Sequence, residues 1–159
     1  MLKYKKLLGV FFGYLLELEG ARLWNAGHLD IDRVYDSPDI DLIATPSSFQ
    51  FRKHTDAGAY MILAHTIPLR KKLYFASFDH RTYNYRSMEE GHYIWDTGGV
   101  LQNLREVTDV MRREMMQRWA NSAGHWWFGM FATWLHDEGI MKEVKHLVKI
   151  SADMFMRHA

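Results

Sequence analysis

Short apolar runs recur along the chain, and each of them predicts a buried strand. The first, Leu8–Leu15, is apolar on both faces, as expected of a strand inside a parallel sheet. The second lies between Pro38 and Pro46, because one proline stops the preceding helix and the other ends the strand. Aromatic-rich runs at Leu73–Ala76 and His125–Phe131 predict two more strands.

Segments with helical periodicity separate several of these strands. Moderate periodicity predicts a helix over Gly20–Tyr35, and clearer patterns predict helices over Val100–Ala120 and Glu138–His158. The apolar face of the second helix consists of Val100, Leu104, Val107, Met111, Met115 and Trp119. The charged residues that we expect to cover its outer side are Arg105, Glu106, Arg112, Arg113 and Glu114. The residues predicted on the inner side of the last helix are Ile140, Val144, Leu147, Val148, Ile150 and Met154.

The predicted order of elements is strand, helix, strand, loop, strand, helix, strand, helix. Such alternation is typical of an α/β fold with a parallel sheet and right-handed crossovers. The 159 residues are enough for one domain, which we expect to span 1–159. Four such units are half of an eightfold barrel, and a full barrel needs about 200 residues or more.

The stretch Lys72–Tyr83 joins a buried strand to a dense group of polar side chains. The residues of this group are Ser77, Asp79, His80, Arg81, Thr82 and Tyr83. A buried strand that ends in such a group is typical of an active-site rim in an α/β fold. The alternative is that Asp79 and Arg81 form an ion pair that holds a loop in place, and the stretch alone favours neither interpretation.

Composition narrows the function classes. The formal net charge of +1 gives no reason to expect nucleic acid or an anionic membrane as a partner. The absence of cysteine excludes disulfides and thiolate chemistry, and leaves the compartment open. The nine histidines show no metal-site spacing, so we expect no metal and no cofactor. Lysines before Leu7–Leu16 suggest a targeting segment, but Gly9 and Gly13 interrupt the run and favour a buried strand.

The segment Lys72-Leu-Tyr-Phe-Ala-Ser-Phe-Asp-His-Arg-Thr-Tyr83 resembles the seventh-strand segment of β-galactosidase-type glycoside hydrolases, family 42 and its relatives in the TIM-barrel glycosidase clan. The family pattern reads roughly Lys-Leu-aromatic-aromatic-x-Glu-x-Asp-x-Arg-Thr-His. The matching residues are Lys72, Leu73, Tyr74, Phe75, Asp79, Arg81 and Thr82. Two positions depart from the pattern: Ser77 stands where the family has its catalytic Glu, and Tyr83 stands where it has His.

Three other segments follow the family's order. Phe12-Gly-Tyr-Leu15 resembles its fifth strand, Ser37–Phe49 its sixth, and Trp126-Trp-Phe-Gly-Met-Phe131 its eighth, with Gly129 in place of an Asp. The resemblance therefore implies strands five to eight of a TIM (β/α)8 barrel, which are its carboxyl-terminal half. It also implies a loop above the barrel that carries Ser47, Ser48, Phe49 and Arg52.

The resemblance implies retaining hydrolysis of O-glycosides, which requires two carboxyl groups. In this clan the acid/base follows the fourth strand, which we expect to lie upstream of Met1. The nucleophile position holds Ser77, whose hydroxyl is neutral and reacts poorly without a base. We therefore expect this chain alone to be inactive.

A sugar-binding rim is expected to remain without the catalytic pair. Aromatic faces stack on sugars, and Asp and Arg bind hydroxyls through charge-assisted hydrogen bonds. The residues that we assign to substrate binding are Asp79, Arg81, Trp127, Trp126, Trp134 and Tyr14. Strand alternation would place Ser77 and Asp79 on one face together with Trp127. The alternative for the tryptophans is that they belong to the core.

Two functions remain open. The first is a β-galactosidase-like glycosidase half that acts on or binds a galactoside-type carbohydrate. The second is a non-catalytic half-barrel that binds carbohydrate or associates with itself. Because an open half-barrel exposes strand edges and an apolar face, we expect a homodimer or a complementary amino-terminal half-barrel as partner. A third idea, that Ser77 replaces Glu in order to trap substrate, does not account for Gly129 and Tyr83.

Overall fold

The computed structural model describes residues 6–13, 28–85, 99–129 and 134–158. In these segments strands and helices alternate, so the α/β class that the sequence predicts is confirmed. The elements are β1 (Gly9–Phe11), α1 (Ile31–Asp36), β2 (Leu42–Pro46), α2 (Thr66–Leu69), β3 (Leu73–Phe78), α3 (Leu104–Ala120), β4 (Gly124–Trp127) and α4 (Glu138–His158).

The four strands form one parallel sheet in chain order, β1-β2-β3-β4. Phe11 lies opposite Ala44, Ala44 lies opposite Phe75, and Phe75 lies opposite Gly124. Each strand is therefore the neighbour of the strand that precedes it. Parallel pairing brings all four carboxyl ends to the same edge of the sheet.

One face of the sheet packs against the helices. Ile43, Tyr74 and Ala76 from the strands join Tyr35 of α1 and Ile67 of α2 in one core cluster. A second cluster combines Phe78 of β3 with residues of α3 and α4. Its buried members on the two helices are Val107, Val110, Met111, Met115, Ile140, Val144 and Leu147.

We call the opposite side of the sheet the open face. Its residues alternate with the core-facing ones along each strand and are Gly9, Phe11, Leu42, Ala44, Pro46, Leu73, Phe75, Ser77, Gly124 and Trp126. Phe11, Leu73 and Trp126 are exposed although they are large and apolar. Ser77, near the carboxyl end of β3, is buried.

The sheet curves around the open face. In a flat sheet β1 and β4 would be separated by three strand spacings, roughly 14 Å. The rings of Phe11 and Trp126 nevertheless meet edge to face, with centroids 6.2 Å apart. The outer strands therefore bend toward each other on the side that carries Phe11 and Trp126.

The last helix has the predicted bounds, β3 extends two residues beyond the predicted Ala76, and α2 was not predicted. α3 begins at Leu104 because Asn103 caps it, accepting a hydrogen bond from the Glu106 amide at 3.0 Å. α1 begins only at Ile31, and residues 20–27 of the predicted helix lie outside the described segments. In the described part of the chain, no helix is both long and apolar enough to cross a bilayer.

Several predictions of burial were wrong. β1 is not buried on both faces, since Phe11 is 44% exposed at the outer strand of the sheet. Leu104, predicted on the apolar face of α3, is exposed, and so are Val148 and Met154, which were predicted on the inner side of α4. Glu114, predicted on the outer side of α3, is buried beneath the sheet's carboxyl edge, where it contributes to the site described next.

Candidate functional site

A buried polar cluster joins the carboxyl ends of β2 and β3 to two charged side chains of α3. The Ser47 hydroxyl donates to the Glu114 carboxylate at 2.6 Å and accepts from Nη2 of Arg118 at 2.8 Å. The same Nη2 donates to the Ser77 carbonyl at 3.0 Å and lies 3.3 Å from Oε2 of Glu114. These four residues, which we call the edge cluster, are buried and join two strand ends to one helix.

Further cationic and imidazole groups surround the Glu114 carboxylate. Nη2 of Arg113 donates to Oε1 at 3.0 Å, and Nε2 of His80 lies 3.8 Å from the same oxygen. The His80 ring stacks on Phe78, with centroids 4.5 Å apart. Burial, together with the positive charge of nearby guanidinium groups, holds the pKa of His80 well below its ordinary value. His80 is therefore a neutral ring at neutral pH.

The predicted site residue Asp79 pairs with Arg52 from the loop after β2. The distance from Nη2 to Oδ1 is 2.6 Å, and the Asp79 side chain is 14% exposed. Arg52 also donates to the carbonyls of Ser47 and Ser48 at 2.8 and 2.7 Å, and its guanidinium lies over the Phe49 ring. Burial raises the pKa of the Asp79 carboxyl, and the charge of Arg52 opposes this effect. The pair leaves a carboxylate edge at the surface of the site.

Arg81 lies beyond the end of β3 between two aromatic rings. Its guanidinium carbon is 5.2 Å from the centroid of Tyr85 and 5.8 Å from that of Trp134. Trp134 is buried, and its carbonyl accepts a hydrogen bond from the Thr82 hydroxyl. This burial favours the core alternative for Trp134, which packs beneath Arg81.

The prediction that Trp127 shares a face with Ser77 was wrong. β3 and β4 pair so that Trp127 lies opposite Phe78 and Trp126 lies opposite Ser77. Trp127 packs on Phe78 and on His125 in the helix-facing core, with centroid distances of 5.4 and 4.1 Å. A shift of one residue in register exchanges the two faces of a strand. Trp126, 37% exposed, is therefore the aromatic residue of β4 on the Ser77 side.

The other predicted positions add little to the site. Tyr14 lies outside the described residues. Ser77 faces the open side, but burial leaves its hydroxyl out of contact with solvent. In the described segments no three His, Cys, Asp or Glu side chains come together as metal ligands do.

Sequence reasoning missed the edge cluster although the pattern of α3 contains a signal for it. Glu114 and Arg118 follow Met111 at spacings of three and seven, which places both on the stripe of Met111 and Met115. Two opposite charges four residues apart on a buried stripe indicate a paired, buried cluster. A further element was needed to identify it, because Ser47 is 67 residues from Glu114 along the chain.

Comparisons with protein-family models, curated proteins and solved structures found no match to this chain.

Proposed function

We propose that this chain is a half-barrel related to β-galactosidase-type glycoside hydrolases, and that it binds a galactoside-type carbohydrate without hydrolysing it. The observation that carries the half-barrel is the contact between Phe11 and Trp126, because it requires the sheet to curve around its open face. The sequential strand order and the helices on the convex face fit the same architecture. The galactoside class comes from the resemblance of Lys72–Tyr83 to the family's seventh strand.

The carboxyl edge offers suitable groups for a sugar. Trp126 presents an exposed aromatic ring on the open face, next to Ser77 of β3. The Asp79 carboxylate, held by Arg52, can accept hydrogen bonds from sugar hydroxyls. A stacking ring and a fixed acceptor are the two kinds of contact that a neutral carbohydrate requires.

In the part of the chain that the structure describes, the carboxyl edge does not hold the two carboxyl groups that hydrolysis would need. A retaining glycosidase needs two carboxyl groups about 5 Å apart. Ser77 cannot replace the nucleophile, since its hydroxyl is neutral. Glu114 is buried and bonded to Arg113 and Ser47, so its carboxylate is not presented to a substrate. The expected result is binding without turnover.

A second candidate function is self-association without a sugar ligand. It is favoured by the exposure of Phe11, Leu73 and Trp126 on the open face, since apolar patches of this kind mark interaction surfaces. In that case the open face is an interface, and the carboxyl edge has a structural role only.

A titration with galactose and methyl β-galactoside, followed by tryptophan fluorescence and calorimetry, tests the proposal. Saturable quenching with heat release is expected, together with no turnover of an aryl β-galactoside. Trp126→Phe should remove the quenching. The matched control is Trp119→Phe, whose indole donates to Ser151 among the helices at 3.1 Å, and this variant should keep it. Equal loss in both variants, or no binding by the wild type, would overturn the proposal.

A further inference from the structure

We propose that two copies of this chain close an eight-stranded barrel around a twofold axis, with β4 of each copy pairing with β1 of the other. The inference rests on the half-barrel of the proposed function and names its partner. Within the described residues, β1 and β4 each pair with another strand on one side only, and each runs parallel to that neighbouring strand. Four strands from each copy give eight, the number at which side chains fill a closed barrel.

Side-chain size alternates along two of the three rows of the open face, whereas the row of Gly9 places Leu42 next to Leu73. Along the row of paired residues Phe11, Ala44, Phe75 and Gly124, large and small residues follow each other from strand to strand. The small residue that ends this row must be glycine, because a Cβ on Gly124 would lie 2.7 Å from the Phe75 ring. The strand that comes after β4 should therefore bring a large residue next to Gly124.

The next row toward the carboxyl edge has the opposite order. Ser77 is the small residue there, and it lies between Pro46 and Trp126. The strand after β4 should therefore bring a small residue next to Trp126. The neighbouring strand must therefore carry a large residue beside Gly124 and a small residue beside Trp126, whichever chain supplies it.

A second copy meets both requirements. An eight-stranded barrel of this class is staggered by about eight residues per circuit, and twofold symmetry assigns about four to each half. Phe11 and Gly124 lie in the same row, but the ring of Phe11 contacts Trp126, two residues farther along β4. This offset sets the direction of the stagger. The row of Gly124 then continues to Leu7 of the second copy, and the row of Trp126 continues to its Gly9. The row of Trp126 is the one nearer the carboxyl mouth of the closed barrel, where the ring stays open to a ligand. Leu7 and Gly9 are both exposed in one copy.

The outer flank of α4 points to the same neighbour. Met141 and Val148, seven residues apart on one side of the helix, are exposed. Glu143 lies on the other side and pairs with Arg112 of α3, at 2.7 and 3.0 Å. The exposed apolar side of α4 therefore faces away from α3, where closure would place α1 of the second copy.

Disulfide trapping tests the pairing directly, because the chain has no cysteine of its own. The variant Gly9→Cys/Trp126→Cys should form a covalent dimer on mild oxidation that reduction reverses. Each single variant, and the control Gly9→Cys/Leu69→Cys with its second cysteine on the exposed side of α2, should remain largely uncrosslinked. Equal trapping in the control, or none in the designed pair, would overturn the proposal.

Sedimentation analysis of two charge variants provides the second test. Phe11→Glu would place a carboxylate inside the closed barrel and should convert the dimer to monomer. Leu69→Glu, at a position 80% exposed on α2, should leave the dimer intact. If Phe11→Glu does not fold, the disulfide result decides alone. A monomeric wild type that binds galactoside would overturn the dimer and leave the proposed function standing, whereas a trapped dimer without sugar binding would do the reverse.

Discussion

The rings of Phe11 and Trp126 meet 6.2 Å apart although their strands are the first and last of a four-stranded sheet. The contact requires a curved sheet whose concave side is apolar and partly exposed. The register of β3 and β4 separately places Trp126 opposite Ser77 near the carboxyl edge, where the resemblance to β-galactosidase-type enzymes would place substrate. The architecture and the proposed sugar site therefore depend on the same aromatic residue.

The buried pair of Glu114 and Arg118 should be strongly coupled. Arg118→Met leaves the Glu114 carboxylate buried with one cation fewer, and we expect a loss of about 3–5 kcal/mol in the free energy of unfolding. Glu114→Met/Arg118→Met should cost less than the sum of the two single variants. Urea unfolding measures all three. Arg105→Met, which removes an exposed pair with Asp109, should cost less than about 0.5 kcal/mol. Additive effects at Glu114 and Arg118 would contradict the coupling.

The Phe75 ring packs so closely on Gly124 that only glycine should fit at this position. The Cβ of an alanine at this position would clash with the ring, and we expect Gly124→Ala to cost about 1–3 kcal/mol. Phe75→Leu should relieve part of that cost in the double variant. Gly129→Ala is the matched control, because its nearest neighbours would lie at 3.9 and 4.0 Å. Thermal melts of the wild type and the four variants decide, and equal losses at both glycines would contradict the packing of the open face.

Acid should destabilise the fold through its buried histidines. The pKa of His80 is lowered, and burial lowers that of His125 to about 2. An unfolded histidine titrates near pH 6.5, so below that pH the unfolded state binds protons that the folded state does not. The free energy of unfolding should therefore fall with pH below about 6.5, by up to about 1.4 kcal/mol per pH unit for each histidine.

Removing one histidine should reduce this slope. Asp79 has a raised pKa, so its protonation stabilises the folded state as the pH falls and opposes the effect of the histidines. The informative quantity is therefore the difference in pH dependence between the wild type and a histidine variant. We expect His80→Leu to show a smaller loss of stability between pH 6.5 and 5 than the wild type. His146→Leu, on the exposed side of α4, is the control. Denaturant melts at several pH values measure the slope, and an unchanged slope in His80→Leu would contradict a buried neutral ring.

Asp79→Asn should weaken galactoside binding, and the loss of the ion pair with Arg52 should also lower the free energy of unfolding. The substitution keeps the shape of the side chain but replaces a charge-assisted acceptor by a neutral one, for which we expect about a tenfold weaker affinity. Arg52 keeps its bonds to the carbonyls of Ser47 and Ser48, so the loop should remain in place. Calorimetric titration and a thermal melt of the same variant separate the two effects. Unchanged affinity would remove Asp79 from the site.

Much of the fold could be predicted from the sequence because its signals are local. The apolar runs gave β2 and β3, and the periodicity over Glu138–His158 gave the bounds of α4. The site was harder to predict, since its contacts join distant segments. The sequence suggested Arg81 as the ion-pair partner of Asp79, whereas the structure pairs Asp79 with Arg52 from the loop after β2. Strand register was also beyond the pattern, because in β4 two adjacent tryptophans fit either face equally well.

Light scattering of the purified wild-type chain at tens of micromolar, combined with a thermal melt of the same sample, tests the account most directly. A half-barrel whose open face is covered by a second copy should elute as a single species of about twice 18.8 kDa and melt cooperatively. A monomer with a cooperative melt would contradict closure by a second copy. Polydisperse aggregates with a broad transition would contradict the account as well, since the open face would then have no defined partner.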